Sequence, residues 1–250
     1  MNILAIDTSG QSASCSLISA VGVNCSEKTE SEKRIMAEFT INNKLTHSQT
    51  MLPMIDSMLA AADFPKTEID FIAVSNGPGS FTGLRIGAAI AKGLAMALKT
   101  KLVPVSTLDA LAYNVIAERA IIIPIMDARR NQVYSALYER ENDELRRISD
   151  YLAEDINIIF EMANLKNHPV IFLGDAAELH IEAIKENPNF SISPVGHNLQ
   201  RAALVGLLAA EKLIKNPDSA AVCAKDFELQ YVRKSQAERV KESRQKQENI

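Results

Sequence analysis

Residues 6–18, IDTSGQSASCSLI, and residues 126–138, MDARRNQVYSALY, share one plan. An apolar run precedes each, Asn2 to Asp7 in the first case and Ile121 to Asp127 in the second. Such a run, closing on an acid, reads as a buried strand. A turn follows, and then a returning strand, Ala13 to Ile18 or Val133 to Tyr138. Laid side by side without a gap, the stretches place Asp7 on Asp127 and Leu17 on Leu137. The kinship lies in the order of elements more than in residue identities.

Working outward from the first hairpin, a third strand is expected within Glu38 to Ile41. A helix follows over His47 to Ala62, with Leu52, Ile55 and Leu59 on one face and Pro53 tolerated in its first turns. Phe71 to Ser75 reads as a strand, Leu102 to Val105 as another, and Thr107 to Ala117 as a helix. Beyond the second hairpin come a strand at Val170 to Leu173, a helix from Ala176 to Lys185, and a helix from Asn198 to Ile214 ended by Asn216-Pro217. The pattern predicts an α/β fold of two similar lobes, residues 1–105 and 106–232, with mixed sheets flanked by helices. The final helix is free to pack back on the first lobe. Residues 233–250 are almost wholly polar, and disorder is expected there.

Between the hairpins stands Ser75 to Leu98, SNGPGSFTGLRIGAAIAKGLAMAL. A Gly-Pro-Gly turn runs into a long helix that Ser80 or Thr82 can cap. Gly83, Gly87, Ala91 and Ala95 fall four apart, so they form a stripe without bulk. Each interior glycine costs about 1 kcal/mol against alanine, which close packing must offset. Two readings stay open: the stripe faces the protein's own core, or it meets a partner. Arg85, Lys92 and Lys99 on another side keep the helix from full burial. On the partner reading the interface comprises Gly83, Leu84, Gly87, Ile90, Ala91, Leu94 and Ala95, with Met51 and Ile55 of the neighbouring helix. As a phosphate loop the segment fails, since no GxxxxGK[ST] is present and Thr82 stands where GxGxxG needs its third glycine.

The chain has 250 residues, 47% hydrophobic and 23% charged, with a net charge of −4. That balance argues against gripping nucleic acid by overall charge. Three cysteines, Cys15, Cys25 and Cys223, lack CxxC spacing and suggest reduced thiols in a cytoplasmic protein. No signal peptide is read at the N-terminus, and no membrane span is expected because Lys92 interrupts the longest apolar stretch.

LAIDTSG at Leu4 to Gly10, SNGPGSFTGLRIG at Ser75 to Gly87, and MDARRNQVY at Met126 to Tyr134 together resemble the bacterial TsaB (YeaZ) family. FLGDA at Phe172 to Ala176 is similar to a further family segment. The resemblance implies an actin-like (ASKHA) fold. It also implies a non-catalytic subunit that binds and activates TsaD, the threonylcarbamoyltransferase that modifies the tRNA adenosine next to the anticodon, together with the ATPase TsaE. The subunit is expected to pair with itself when alone and to meet tRNA only through the complex.

TsaD-type proteins hold a metal through an HxxxH pair. Here His47 stands alone with Met51 in the second place, so neither metal nor cofactor is expected. The alternative is an actin-like small-molecule kinase or ATPase that uses the inter-lobe cleft. Asp7, Thr8, Ser9 and Asp127 are its candidates for a weak nucleotide site. The competing reading has both acids bonding the N–H groups of the next turn. The sparse glycine in Thr8-Ser9-Gly10-Gln11 favours that structural role.

Overall fold

The apolar runs that close on an acid become the central strands of two sheets. The computed structural model describes residues 1–25, 28–43, 46–142, 144–166 and 168–232, so the tail expected over 233–250 lies outside the described residues. The first half contains β1 (Asn2–Asp7), β2 (Ala13–Cys25), β3 (Lys28–Ile41), α1 (His47–Ala61), β4 (Phe71–Gly77), α2 (Phe81–Leu98), β5 (Lys101–Ser106) and α3 (Thr107–Ala112). The second half begins with β6 (Ile121–Asp127), β7 (Gln132–Ser135), β8 (Tyr138–Glu141), β9 (Glu144–Arg147), β10 (Leu152–Asp155) and α4 (Ile156–Asn164). It ends with β11 (Val170–Leu173), α5 (Asp175–Leu179), α6 (Ile181–Lys185), β12 (Phe190–Ile192), α7 (Ala202–Lys215) and α8 (Pro217–Ala220).

The first sheet has the order β3-β2-β1-β4-β5 and the second β10-β7-β6-β11-β12. In both, the hairpin partner runs antiparallel to the central strand and the next two strands run parallel to it. The repeat is therefore real in topology. The ungapped alignment needs correction, because Asp7 pairs with Ser14, seven residues on, and Asp127 with Val133, six on. The second turn is one residue shorter, which puts Leu17 opposite the position of Ala136 rather than Leu137.

Other expectations shift for local reasons. The third strand reaches back to Lys28, and its described part is rich in charge because it forms a sheet edge. The strand expected over Val133 to Tyr138 is broken between β7 and β8, where the Leu137 N–H turns to Ser149 Oγ at 2.9 Å. The helix expected to Ala117 stops at Ala112; the Asn114 amide donates to the Leu111 carbonyl at 3.2 Å and to the Leu199 carbonyl at 3.3 Å. The helix from Ala176 to Lys185 splits at His180. The last long helix starts at Ala202, four residues later than expected from its apolar pattern.

One face of the first sheet is covered by α1 and α2, the other by α7. Ala202, Ala203, Val205, Ala209 and Ala210 bring α7 close over Ile3, Ala5, Ile18 and Val103. The chain's last long helix therefore serves the first sheet. By length and composition α2 is apolar enough to cross a bilayer, but its inner residues Leu84, Ala88, Ala91 and Ala95 pack within the protein. The second sheet is covered by α4, α5 and α6, with Phe160, Phe172 and Phe190 in edge and tilted contacts at 5.1–5.9 Å.

Between the sheets lies α3. Its Leu108, Leu111 and Ala112 pack with Met126, Tyr138 and Leu173 of the second half, and Ala110 packs with the α7 layer. Two polar contacts reinforce this joint. Asp109 Oδ1 accepts from Tyr138 OH at 2.7 Å and Tyr151 OH at 2.8 Å. One turn on, Tyr113 OH donates to Glu211 Oε1 at 2.6 Å, and Glu211 also pairs with Lys33 at 2.5 Å. Burial and the neighbouring carboxylates push all three phenols well above their ordinary range, so they stay donors.

The close approach of α7 gives the first prediction. A Cβ at Gly206 would collide with Ile18 and press on Ala5. Gly206→Ala should lower stability by about 1–3 kcal/mol in chemical denaturation, despite alanine's better helix propensity. A stabilised variant would show that α7 sits farther from the sheet.

Candidate functional site

The turn after β1 is held on every side. Asp7 is fully buried. Its Oδ1 accepts from the Ser9 N–H at 2.8 Å and Ser9 Oγ at 2.6 Å, and its Oδ2 accepts from Ser75 Oγ at 2.7 Å. Burial pushes the carboxyl above the ordinary value, while Ser9, Ser75 and nearby His47 pull it back. Thr8 Oγ1 donates to the Gly83 carbonyl at 2.8 Å, and the Ser9 carbonyl accepts from the Ser80 N–H at 2.8 Å. His47 Nε2 bonds the Gly10 carbonyl at 3.0 Å. On the far side, the amide of buried Gln200 lies against Gly10, and neither amide atom has a hydrogen-bond partner among the described residues. A phosphate-wrapping turn needs free N–H groups and room; this one is filled.

The small-residue stripe of α2 explains why the turn can be filled. A Cβ at Gly83 would strike the Thr8 carbonyl, and one at Gly87 would strike Thr8 Oγ1. Gly83, Leu84, Gly87, Ala91 and Ala95 are all buried in this protomer, as are Met51 and Ile55 of α1. Ile90 and Leu94 are half-buried against the same core. The partner reading of that stripe is therefore corrected, since the close approach it permits is made by the protein's own β1 turn. Leu52, placed on the inner face by its spacing, is 45% exposed; Met51, Met54, Ile55, Met58 and Leu59 form the buried face of α1.

Sequence reasoning missed the opposite side of α2, although Ala89, Gly93 and Ala97 fall four apart there as well. Ala89, Gly93 and Ala97 are exposed, Met96 is 72% exposed, and among the described residues nothing lies within 4 Å of a Cβ at Gly93. Beside this face runs the segment after α8. Val222 bridges to Leu102, buried Phe227 joins the α1–α2 core, and the Gln230 N–H donates to the Asn76 carbonyl at 2.7 Å. The Tyr231 ring meets Phe81 at 5.6 Å, and the Arg85 guanidinium lies 3.8 Å over Phe81.

The second acid differs from the first. Asp127 is exposed; its Oδ1 accepts from the Arg129 N–H at 2.7 Å, and its own N–H donates to Asp175 Oδ1 at 3.2 Å. Burial pushes the Asp175 carboxyl up; the Asp127 N–H bond pulls it back, and the charge of the Asp127 carboxylate adds a smaller rise. Gly174-Asp175 lies within FLGDA, but its contact with Asp127 has no local signal in the sequence. No hydrogen bond joins Asp7 to Asp127 among the described residues. Instead the segment before α7 ties the halves together: Asn198 Oδ1 accepts from the Gly174 N–H at 2.8 Å, and Ser12 Oγ donates to the Gln200 carbonyl at 3.3 Å. In the Asp127 turn, Arg129, Arg130 and Asn131 have φ of 64°, 57° and 60°. Left-handed backbone costs roughly 1–2 kcal/mol for a residue with a Cβ.

A metal pair does not fit at α1. His47 is occupied with Gly10, and Met51 is fully buried in the core. Cys15 is buried, with its thiol pushed up to about 12 by that burial, so it is a poor nucleophile.

Two measurements follow. Gly87→Ala should cost about 1–3 kcal/mol, whereas Gly93→Ala should be neutral or stabilise by up to about 1 kcal/mol. Equal effects at the two glycines would contradict the assigned faces. For Asp7, both states are protonated below the ordinary value of 3.8. Between that value and the raised folded one, the folded state binds more protons than the unfolded chain, so stability falls as pH rises through the window. Wild type should therefore lose stability relative to Asp7→Asn as pH rises from about 4. A difference that stays flat with pH, or a wild type that gains stability relative to Asp7→Asn as pH rises, would contradict this.

A family model described as "TsaD: tRNA N6-adenosine threonylcarbamoyltransferase" matches residues 34–244. A Bacillus subtilis (strain 168) protein named "tRNA threonylcarbamoyladenosine biosynthesis protein TsaB" is 35% identical over 219 residues, 85% of this chain and 88% of that protein. An Escherichia coli (strain K12) protein of the same name is 34% identical over 145 residues, 57% of each. The structure of "YeaZ from Pseudomonas aeruginosa" superposes with a TM-score of 0.69 at 24% identity, covering 92% of this chain and all of that one. The fold is the actin-like one. With that fold, the three motifs in place at the two hairpins and at α2, and identity that spans most of a relative's length, the chain belongs to the TsaB (YeaZ) family.

Proposed function

We propose that this chain is a non-catalytic subunit that binds and activates a TsaD-type transferase in making threonylcarbamoyladenosine in tRNA. The observation that carries the reading is Asp7. Its carboxylate is fully buried and bonded on both oxygens by Ser9 and Ser75, so it is shut away from a metal-bound nucleotide. Met51 in the core, where a metal site would need a second histidine, points the same way. The names of the relatives, biosynthesis proteins for this tRNA nucleoside, supply the pathway. On this reading the subunit works in the cytoplasm, beside a TsaE-type ATPase.

The partner face is the outward side of α1 and α2. Leu52, Ala89, Gly93 and Met96 are exposed there, with Ile86 and Ile90 half-buried at its edge. An apolar face of this kind tends to find a partner. Gly93, with open space before it, lets a second backbone come close. Two copies of the chain joined by this face would make a two-fold dimer, which the TsaD-type partner replaces.

Reconstitution tests the reading. The chain alone should make no threonylcarbamoyladenosine, and a mixture of TsaD-type and TsaE-type proteins should need it. Gly93→Leu should keep its circular dichroism and melting temperature, yet lose both the homodimer in light scattering and the TsaD-type complex. A folded variant that still binds would overturn the assigned face. Transfer activity by the chain alone would overturn the function.

A further inference from the structure

The turn between β6 and β7 breaks a local rule with no return among the described residues. Three residues in a row are left-handed, and only Asn131 is of a type that tolerates this well. Arg129 and Arg130 stand where glycine would relieve the backbone. The turn is braced without them. The Ala128 N–H donates to the Gln132 carbonyl at 2.9 Å, and the Arg129 N–H to Asp127 Oδ1 at 2.7 Å. Asn131 Nδ2 donates to Asp155 Oδ2 at 3.0 Å, and the Asn131 carbonyl accepts from the Ile156 N–H at 3.2 Å. None of these bonds uses a guanidinium. Both arginines are exposed, and neither forms an ion pair among the described residues. Strain kept at an exposed site, with no internal use for the side chains that cause it, marks function.

We propose that Arg129 and Arg130 form a phosphate-contacting tip through which this subunit holds the tRNA backbone inside the complex. The proposal rests on the function proposed above. Successive residues in helical backbone of either hand point about 100° apart, so the two guanidiniums leave the turn in different directions. They address two anionic groups rather than share one, and a polyanion presents such groups in series. The planar fork of each matches a phosphate's oxygens. Asp127 and Asp175 make the ground behind the turn acidic, so an anion is held at the tip and not drawn into the cleft. The chain carries a net charge of −4, so contacts with RNA must be local ones of this kind.

The test uses the complex of this chain with its TsaD-type partner and an unmodified tRNA transcript as probe. Arg129→Gly/Arg130→Gly should melt at the same or a higher temperature than wild type and join the partner with unchanged affinity. Its complex should bind the transcript about tenfold more weakly at moderate salt, and the slope of log affinity against log salt should shrink by about one to two. Lysine at both positions should restore much of the slope. Unchanged RNA affinity and slope would overturn the proposal. So would weakened partner binding with RNA binding intact, since the arginines would then read an acidic surface of the partner. A melting temperature lowered in both the glycine variant and Arg129→Asn/Arg130→Asn would overturn it as well, because the turn would then need its arginines for folding. If wild type forms no complex with the partner, the function reading fails first and takes this proposal with it.

Discussion

The structure depends on the seating of Thr8 in the two-glycine notch of α2. The Thr8 hydroxyl bonds the Gly83 carbonyl, and its carbonyl and side chain fill the space that Cβ atoms at Gly83 and Gly87 would need. That contact fixes how far α2 stands from β1. It orients the Gly77-Pro78-Gly79 turn, where Gly79 is pressed against the Ser9 carbonyl. It also holds the Asp7 carboxylate facing Ser9 and Ser75. A buried carboxylate needs such partners, since an unsatisfied one carries a heavy desolvation penalty. The turn that a nucleotide-binding relative would offer to phosphate is, in this chain, part of the core.

The same seating leaves the rest of α2 free for other work. The inner side, Gly83, Leu84, Gly87, Ala88, Ala91 and Ala95, is used up within the protomer, and the outer side is left exposed around Gly93 and Met96. The joint between the sheets is firm. Asp109 receives two phenols from the second half, Tyr113 reaches Glu211 of α7, and the Asn198–Gln200 segment crosses from Gly174 to Ser12.

Much of this was legible in the sequence. Acids that close apolar runs gave the central strands, and the repeated order of elements gave two sheets of one topology. The single-residue difference between the turns was not legible, because register is set by hydrogen bonding across strands and few identities anchor the alignment. β3 was read short, since a charged edge strand resembles a loop. The stripe of α2 had the right residues and the wrong neighbour. Spacing by four reports that something comes close, and it does not report whether that is β1 of the same chain or another protein. Gln200 and Asp175 act through contacts far away in sequence, so nothing local could reveal them. The left-handed arginines were visible as Arg-Arg, but their strain belongs to the backbone alone.

The central claim is that the cleft side of Asp7 is closed and that the subunit works through a surface. Calorimetric titration of magnesium-ATP into the isolated chain tests it most directly. The account predicts no tight site. Submicromolar binding that disappears in Asp7→Ala would contradict it, and would make the chain a nucleotide-using enzyme of the actin-like class.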